Sequence, residues 1–122
     1  MRNGFGVRRR ILVTGGAGFL GSHLCERLVA DGARVVCLDN FQTGDHANLA
    51  KLARSSAFEL IEADVVDPLP AKLLRRRFDR IYNLACAASP PLYQIDPEHT
   101  LLTSVLGTQQ LLRLASGRAA HR

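Results

Sequence analysis

Three glycines at a fixed spacing are the residues of this 122-residue chain that point most directly to chemistry. Gly15, Gly18 and Gly21 lie in the segment Thr-Gly-Gly-Ala-Gly-Phe-Leu-Gly, directly after a short apolar run. In such a pattern the first glycine permits a tight strand-to-helix turn, the second lets backbone N–H groups approach a pyrophosphate, and the third lets the helix pack closely on the strand. The positive end of the helix then faces the phosphates. The spacing therefore predicts a dinucleotide site.

An acidic residue further along the chain indicates which dinucleotide binds. Asp39 follows Gly21 by 18 residues and ends a second apolar run. A carboxylate in this place can accept hydrogen bonds from both hydroxyls of an adenosine ribose, and it would repel the 2′-phosphate of NADP. No arginine closely follows Asp39 to reverse this preference. The sequence predicts NAD, with a structural glycine turn beside a surface aspartate as the alternative.

The elements that must position these residues alternate along the chain. Apolar runs predict strands at residues 10–14, 34–38, 58–63 and 80–85, and periodic segments predict helices at 19–30, 45–54 and 71–77. A last helix is predicted to begin at Pro97, with Asp96 as its N-cap, and to end at Gly117. This alternation is typical of an α/β fold with a doubly wound, Rossmann-type parallel sheet in the order 3-2-1-4.

The alternation of strands and helices reaches about four strands, and residue 122 falls where the pattern would call for another strand. We therefore predict a disordered N-terminus at residues 1–9 and a partial, truncated NAD-binding domain at residues 10–122. The fourth strand would be an edge strand with exposed backbone groups. The isolated chain is expected to be marginally stable or to self-associate.

Several segments resemble one group of nucleotide-sugar enzymes. The glycine fingerprint resembles that of the extended short-chain dehydrogenases, in the epimerase and dehydratase group. Within that group the chain resembles the UDP-glucuronate decarboxylases (UDP-xylose synthases), and the likeness runs from about residue 10 to residue 115. It is carried by Asp-Asn-Phe-Gln-Thr-Gly at 39–44, Asp-Val-Val-Asp-Pro-Leu at 64–69, and Asp-Pro at 96–97. The most specific part is the Ala-Ser-Pro-Pro-Leu-Tyr loop at 88–93.

The resemblance implies a row of NAD contacts along one end of the sheet. Gly21 would pack the helix on the strand. The pyrophosphate would lie near the first glycines of the turn and the two residues after Gly18. The adenosine ribose would lie near Asp39, and the adenine near the end of the third strand. In that order the implied residues are Gly15, Gly18, Phe19 and Leu20; Asp39 and Asn40; Thr43 and Gly44 on the outer side; Asp64 and Val65 at the adenine; and Leu84, Ala85, Cys86 and Thr103 along the cofactor. Core packing would also explain Leu84 and Ala85, and a strand-end turn would also explain Asp64.

The resemblance implies a reaction whose proton-transfer pair this sequence does not contain. The family oxidises C4 of UDP-glucuronate with tightly held NAD, loses carbon dioxide, and returns the hydride to give UDP-xylose. A Tyr-x-x-x-Lys pair carries the proton. Tyr82 and Tyr93 are followed four residues later by cysteine and proline, so we assign no catalytic residue. The final helix carries Leu102 and Ser104 where the family usually has lysine and asparagine.

Composition argues against disulfide, zinc-binding, nucleic-acid-binding and membrane-spanning roles. Cys25, Cys37 and Cys86 lack Cys-x-x-Cys spacing, which argues against a disulfide framework and a zinc site and predicts buried or half-buried thiols. The four histidines are predicted to be surface or helix residues. The net charge of +5 lies mainly in arginine clusters at 8–10 and 75–77 without interleaved aromatics, which favours solvated surface over nucleic-acid binding. No apolar stretch is long enough for a membrane span.

Three functions remain open at this point. The first is the NAD-binding part of a UDP-glucuronate decarboxylase-like enzyme, acting on a UDP-sugar but inactive as these residues alone. The second is a non-catalytic NAD-binding or regulatory module that pairs with a full-length homologue. The third is a basic RNA-binding protein. The first is favoured, with a cytoplasmic location, no membrane or nucleic-acid partner, and self-association or a homo-oligomer.

Overall fold

The computed structural model describes residues 8–42, 44–85 and 94–117 of the chain. Four sequence-based expectations lie wholly or partly outside these residues: the disordered N-terminus, Thr43, Cys86 and the proline-containing loop at 88–93.

Four parallel strands form the sheet. They are β1 (Arg10–Thr14), β2 (Arg34–Asp39), β3 (Phe58–Glu62) and β4 (Arg80–Asn83). The order β3-β2-β1-β4 confirms the predicted 3-2-1-4 plan, and each strand begins at the predicted residue. The two central strands are nearly continuous apolar runs because both of their faces are covered.

Helices cover the two faces. α1 (Phe19–Ala30) has the predicted bounds, whereas α2 (Ala71–Leu74) is a single turn that ends before the predicted end at residue 77. The last helical stretch consists of α3 (Pro97–Leu102), a π-helical turn (Thr103–Gly107) and α4 (Thr108–Ala115), together called the final helix. The carboxylate of Asp96 caps its start, as predicted, by accepting a hydrogen bond from the backbone N–H of His99.

The segment predicted as one helix at residues 45–54 is different in the structure. It forms two short 3-10 helices, His46–Leu49 and Leu52–Arg54. Leu49 lies in the first and Leu52 in the second, and both are buried in the same hydrophobic core. The carboxylate of Asp45 caps the first of these helices by accepting from the N–H of Ala47 at 2.9 Å.

Alternate residues of the central strands contribute to two separate hydrophobic cores. On one face, side chains of β1 and β2 pack with α1 and the 3-10 helices. On the other face, the intervening side chains pack with α2 and the final helix. The first core includes Ile11, Val13, Val35, Cys37 and Leu49, and the second includes Leu12, Leu38, Leu73, Leu111 and Leu114.

Two cysteines lie in the first core, beneath the glycine turn. Cys25 and Cys37 are free and fully buried, which confirms the prediction of buried thiols for these two. A hydrogen bond with Cys25, together with burial, raises the pKa of the Cys37 thiol, so it stays protonated. A Cβ on Gly16 would lie 2.5 Å from the Cys37 sulfur, so this pair also explains the glycine at position 16.

One side of the molecule exposes apolar side chains. Within the described ranges β4 pairs only with β1, so it is an edge strand as predicted. On the neighbouring final helix Leu101, Val105 and Leu112 are each more than half exposed. None of the helices in the described parts of the chain combines the length and the apolar character needed to cross a membrane.

Candidate dinucleotide-binding site

The turn between β1 and α1 is built by close backbone approaches at two of the three glycines. Gly15 has φ +74°, a left-handed conformation that favours glycine, and its N–H donates to the carbonyl of Leu38 at 2.8 Å. A Cβ on Gly15 would overlap the carbonyl of Leu84, and one on Gly21 would overlap the carbonyl of Gly15. These two glycines are therefore required by the fold itself.

Gly18 differs from the other two glycines because the fold does not explain it. Its backbone angles, φ −76° and ψ 175°, suit any residue. Among the described residues, a Cβ there would meet only the Gly15 carbonyl, at an ordinary 3.4 Å. No other described residue would touch a Cβ at Gly18, and a pyrophosphate bound at the helix start would need this space. The residues present fit a dinucleotide at this position.

The start of α1 has the electrostatics of an anion site. Gly18 is the N-cap and offers no side chain to cap the helix, and the first turn contains no acidic residue. The first N–H groups of a helix have no partner within the helix, and they carry the positive end of its dipole. Phe19 and Leu20 lie in this turn, and the two residues are 72% and 73% exposed. Their N–H groups are the donors that a phosphate would receive.

Asp39, at the carboxyl end of β2, is locked in place beside the turn. The residue is buried, with only 7% of its surface exposed. One carboxylate oxygen accepts from the N–H of Ala17 at 2.9 Å, and the other accepts from the N–H of Phe41 at 2.7 Å. Each oxygen retains a further lone pair. The carboxylate is therefore oriented and can still accept two hydroxyl donors, such as those of a ribose.

Ala17 is a structural contact point that sequence reasoning missed. Its carbonyl accepts from the N–H of Asp45 at 3.1 Å and from the side-chain amide of Asn48 at 2.8 Å. Gly44, a predicted site residue, packs so closely that a Cβ there would lie 2.7 Å from the Cβ of Ala17. The loop after β2 thus supports the glycine turn from outside. Nothing in the local sequence signals a contact between residues 17 and 48.

The chain reverses sharply just after Asp39. Phe41 has φ +59°, and its ring stacks on His46 with centroids 3.8 Å apart. The side-chain oxygen of Asn40 accepts from the N–H of Gln42 at 2.9 Å. The side-chain amide of Asn40 donates to Asp64 at 3.0 Å. Asn40 therefore joins the end of β2 to the residue that follows β3.

Asp64 follows β3 and lies next to the end of β2, which carries Asp39. The N–H of Ala63 donates to the Asp39 carbonyl at 3.0 Å, which holds the two strand ends together. Burial raises the pKa of Asp64, but hydrogen bonds from Val66, Asn40 and His99 outweigh it and bring that pKa below its usual value. His99 lies in the final helix, as predicted, yet its ring also contacts Asp64 at 2.7 Å, a contact that the sequence did not predict.

Val65 and Thr103 have side chains that serve the fold. Val65 is buried, and a Cβ on Gly107 would lie 2.6 Å from its Cγ2. The Val65 carbonyl accepts from the side-chain amide of Gln110 at 2.6 Å. The buried hydroxyl of Thr103 donates to the carbonyl of His99 at 2.8 Å. The side chain of Val65 and the hydroxyl of Thr103 therefore contact groups of the final helix.

Leu84 and Ala85 follow β4 on the other side of the glycine turn. The N–H of Leu84 donates to the Thr14 carbonyl at 2.9 Å, which aligns this segment with β1. Leu84 is 40% exposed, whereas Ala85 packs against the second core. Asn83, which sequence reasoning did not single out, accepts from the Thr14 hydroxyl at 2.7 Å and links β4 to β1.

Comparison with protein families identifies the group to which this arrangement belongs. Residues 11–122 match the model of the NAD dependent epimerase/dehydratase family. The chain belongs to that family. The family resemblance inferred from the sequence is therefore confirmed.

Curated relatives within the family are UDP-glucuronic acid decarboxylases. The chain is 48% identical over 113 residues to UDP-glucuronic acid decarboxylase 1 of Arabidopsis thaliana. The matched segment is 92% of this chain and 25% of that protein. The chain is also 48% identical over 108 residues to the enzyme of the same name from Danio rerio, covering 88% of this chain and 25% of that protein. The chain spans about a quarter of the length of these relatives.

Solved structures of the family share the fold. The dTDP-glucose 4,6-dehydratase DesIV of Streptomyces venezuelae, solved with NAD and TYD bound, is 33% identical with a TM-score of 0.76 over 89% of this chain and 36% of that chain. The Bordetella bronchiseptica enzyme WbmG, solved in complex with NAD, is 31% identical with a TM-score of 0.76 over 93% of this chain and 35% of that chain. These neighbours confirm the Rossmann-type fold.

Proposed function

We propose that this chain binds NAD at the glycine turn and forms the cofactor-binding part of a UDP-glucuronate decarboxylase-type enzyme. The observation that carries the proposal is Gly18: no contact with a described residue explains its missing side chain, and it lies at a helix start that has no side-chain cap. Asp39 supports NAD over NADP because its oriented carboxylate accepts hydroxyl donors and repels a phosphate.

Different residues of this chain bind different parts of the cofactor. The N–H groups of the first turn of α1 bind the pyrophosphate, Asp39 and Asn40 the adenosine ribose, and Asp64 the adenine. Gly44, with Thr43 beside it, flanks the outer side of the cofactor. Leu84 and Ala85, followed by Cys86, line its other half, and Thr103 lies against it from the final helix. Bound NAD would supply the hydride acceptor for oxidation of the sugar.

The substrate proposal rests on similarity to the decarboxylases. The 48% identity to two UDP-glucuronic acid decarboxylases supports UDP-glucuronate as the substrate of the enzyme in which this chain takes part. Neither tyrosine of the chain has a lysine four residues later, so these 122 residues alone bind NAD without turning over the sugar.

A second function is favoured by one observation. The exposed Leu101, Val105 and Leu112 lie on the final helix, which packs beside the edge strand β4. Such a face suits a non-catalytic NAD-binding or regulatory module that pairs with a full-length homologue. This alternative shares the NAD site and differs only in what the apolar face contacts.

Thermal unfolding with each dinucleotide tests the NAD site. At 100 times its dissociation constant, NAD should raise the free energy of unfolding by about 2.7 kcal/mol and the melting temperature by at least about 4 °C. NADP should bind at least about tenfold more weakly, because Asp39 would repel its 2′-phosphate. An assay of UDP-xylose formation with UDP-glucuronate and NAD should show no product.

Matched variants separate the site from general charge effects. Asp39→Asn should reduce the preference for NAD, whereas Asp31→Asn, the same change at the exposed end of α1, should preserve it. Identical stabilisation by NAD and NADP would contradict the role of Asp39, and stabilisation by neither would contradict the NAD site. Formation of UDP-xylose would contradict the proposal that these residues alone are inactive.

A further inference from the structure

Hydrogen-bond donors from three parts of the chain hold the carboxylate of Asp64. The side-chain amide of Asn40 donates to Oδ2 at 3.0 Å, and Nε2 of His99 lies 2.7 Å from the same oxygen. The N–H of Val66 donates to Oδ1 at 3.1 Å. An ionised carboxylate has about four acceptor positions. Groups in the described parts of the chain fill three of them, and the one that they leave open is on Oδ1.

The ring of His99 must be the donor in its contact with Asp64. The pKa of Asp64 lies below its usual value because three hydrogen bonds together outweigh its burial, so the group is ionised at neutral pH and accepts only. The ring therefore carries a proton on Nε2. Its backbone is fixed as well, since its N–H donates to Asp96 and its carbonyl accepts from Thr103.

The position of Asp64 in the fold brings its carboxylate close to the proposed cofactor site. Asp64 follows β3 and lies next to the end of β2, where Asp39 accepts donors beside the glycine turn. Asn40 spans the two carboxylates along the chain and through its side chain. The carboxylate with the open position thus lies next to the part of the chain proposed to bind the adenosine ribose.

We propose that His99 is a positioning residue that fixes the carboxylate of Asp64, so that its one open acceptor position receives the exocyclic amine of adenine. This inference rests on the proposed NAD function. Asn40 and Val66 donate from segments adjoining β2 and β3, whereas His99 donates from the final helix, 35 residues after Asp64. His99 therefore makes recognition of the base depend on the docking of that helix. The partial burial of both side chains, 24% and 18% exposed, protects this contact from water.

The experiment compares NAD with deamino-NAD, in which a carbonyl oxygen replaces the adenine amine. Isothermal titration of the whole chain should give the wild type at least about a tenfold preference for NAD, because an amine donates to a carboxylate and a carbonyl oxygen does not. His99→Leu should reduce this ratio to about threefold or less, chiefly by weakening NAD. His99→Gln should keep most of the preference, because its side-chain amide can also donate.

Other outcomes overturn the inference. Equal weakening of both dinucleotides by His99→Leu would assign His99 a structural role only, and an unchanged ratio would remove its link to the base. Asp64→Asn should lower the ratio by itself, and adding His99→Leu to it should lower the ratio no further. If His99→Leu does not fold, His99→Asn replaces it, because its amide ends short of Asp64. A wild-type chain that binds neither dinucleotide would overturn the proposed function itself, whereas tight and equal binding of both would overturn only this inference.

Discussion

The two sides of the glycine turn are built in different ways. On the side of β2 and β3, Asp39, Asn40 and Asp64 are held by hydrogen bonds to one another and to the backbone. On the side of β4, Leu84 is exposed, and the final helix presents apolar side chains to solvent. The first side is organised by this chain's own polar groups. The second is organised by backbone pairing to β1 and offers surface that another structure can cover.

The junction between the two sides depends most strongly on Gly21. A Cβ there would overlap the carbonyl of Gly15 and lie 2.7 Å from the Cα of Gly16, and backbone atoms cannot move aside. Gly21→Ala should therefore cost at least about 3 kcal/mol of unfolding free energy, measured by urea denaturation. Gly117→Ala is the control, since its φ of +77° is strained but a Cβ would meet nothing within 4 Å. That change should cost only about 1 kcal/mol. Equal losses would show that overlap at the junction is unimportant.

The apolar side should control self-association. Wild-type chain should show a sedimentation coefficient that rises with concentration, because Leu101, Val105 and Leu112 are exposed beside an edge strand. Leu101→Glu combined with Leu112→Glu should lower the association constant at least about tenfold, because paired copies would have to desolvate the charges. Ala53→Glu adds charge at an exposed residue on the opposite face of the sheet and should change little. A wild-type chain that stays monomeric at all concentrations would contradict this view of the second side.

Sequence alone predicted the frame of the molecule well, because that frame follows from local patterns. Apolar runs marked the four strands, and the glycine spacing marked the turn between β1 and α1. The Asp96 cap and the end of the final helix also have local signals. The prediction of one helix at 45–54 was wrong: the segment forms two short 3-10 helices, and the first is tied to the carbonyl of Ala17 through Asp45 and Asn48, a contact that periodicity does not encode.

The contacts that sequence missed all join residues far apart in the chain. Asn48 reaches Ala17 across 31 residues, and His99 reaches Asp64 across 35. No periodicity or spacing encodes such pairs, since they depend on how the final helix and the loop after β2 pack on the sheet. The polar identity of Asp39 and Asp64 was visible in the sequence, but the groups that orient their carboxylates were not.

The affinity of Gly18→Ala for NAD tests the central claim most directly. The fold tolerates a Cβ at this position, so unfolding free energy without cofactor should fall by no more than about 1 kcal/mol. The same Cβ would enter the space proposed for the pyrophosphate. Isothermal titration should therefore show a dissociation constant for NAD at least about tenfold higher than that of the wild type. Unchanged NAD affinity in a folded Gly18→Ala chain would contradict the account, because the cofactor would then not lie against the glycine turn.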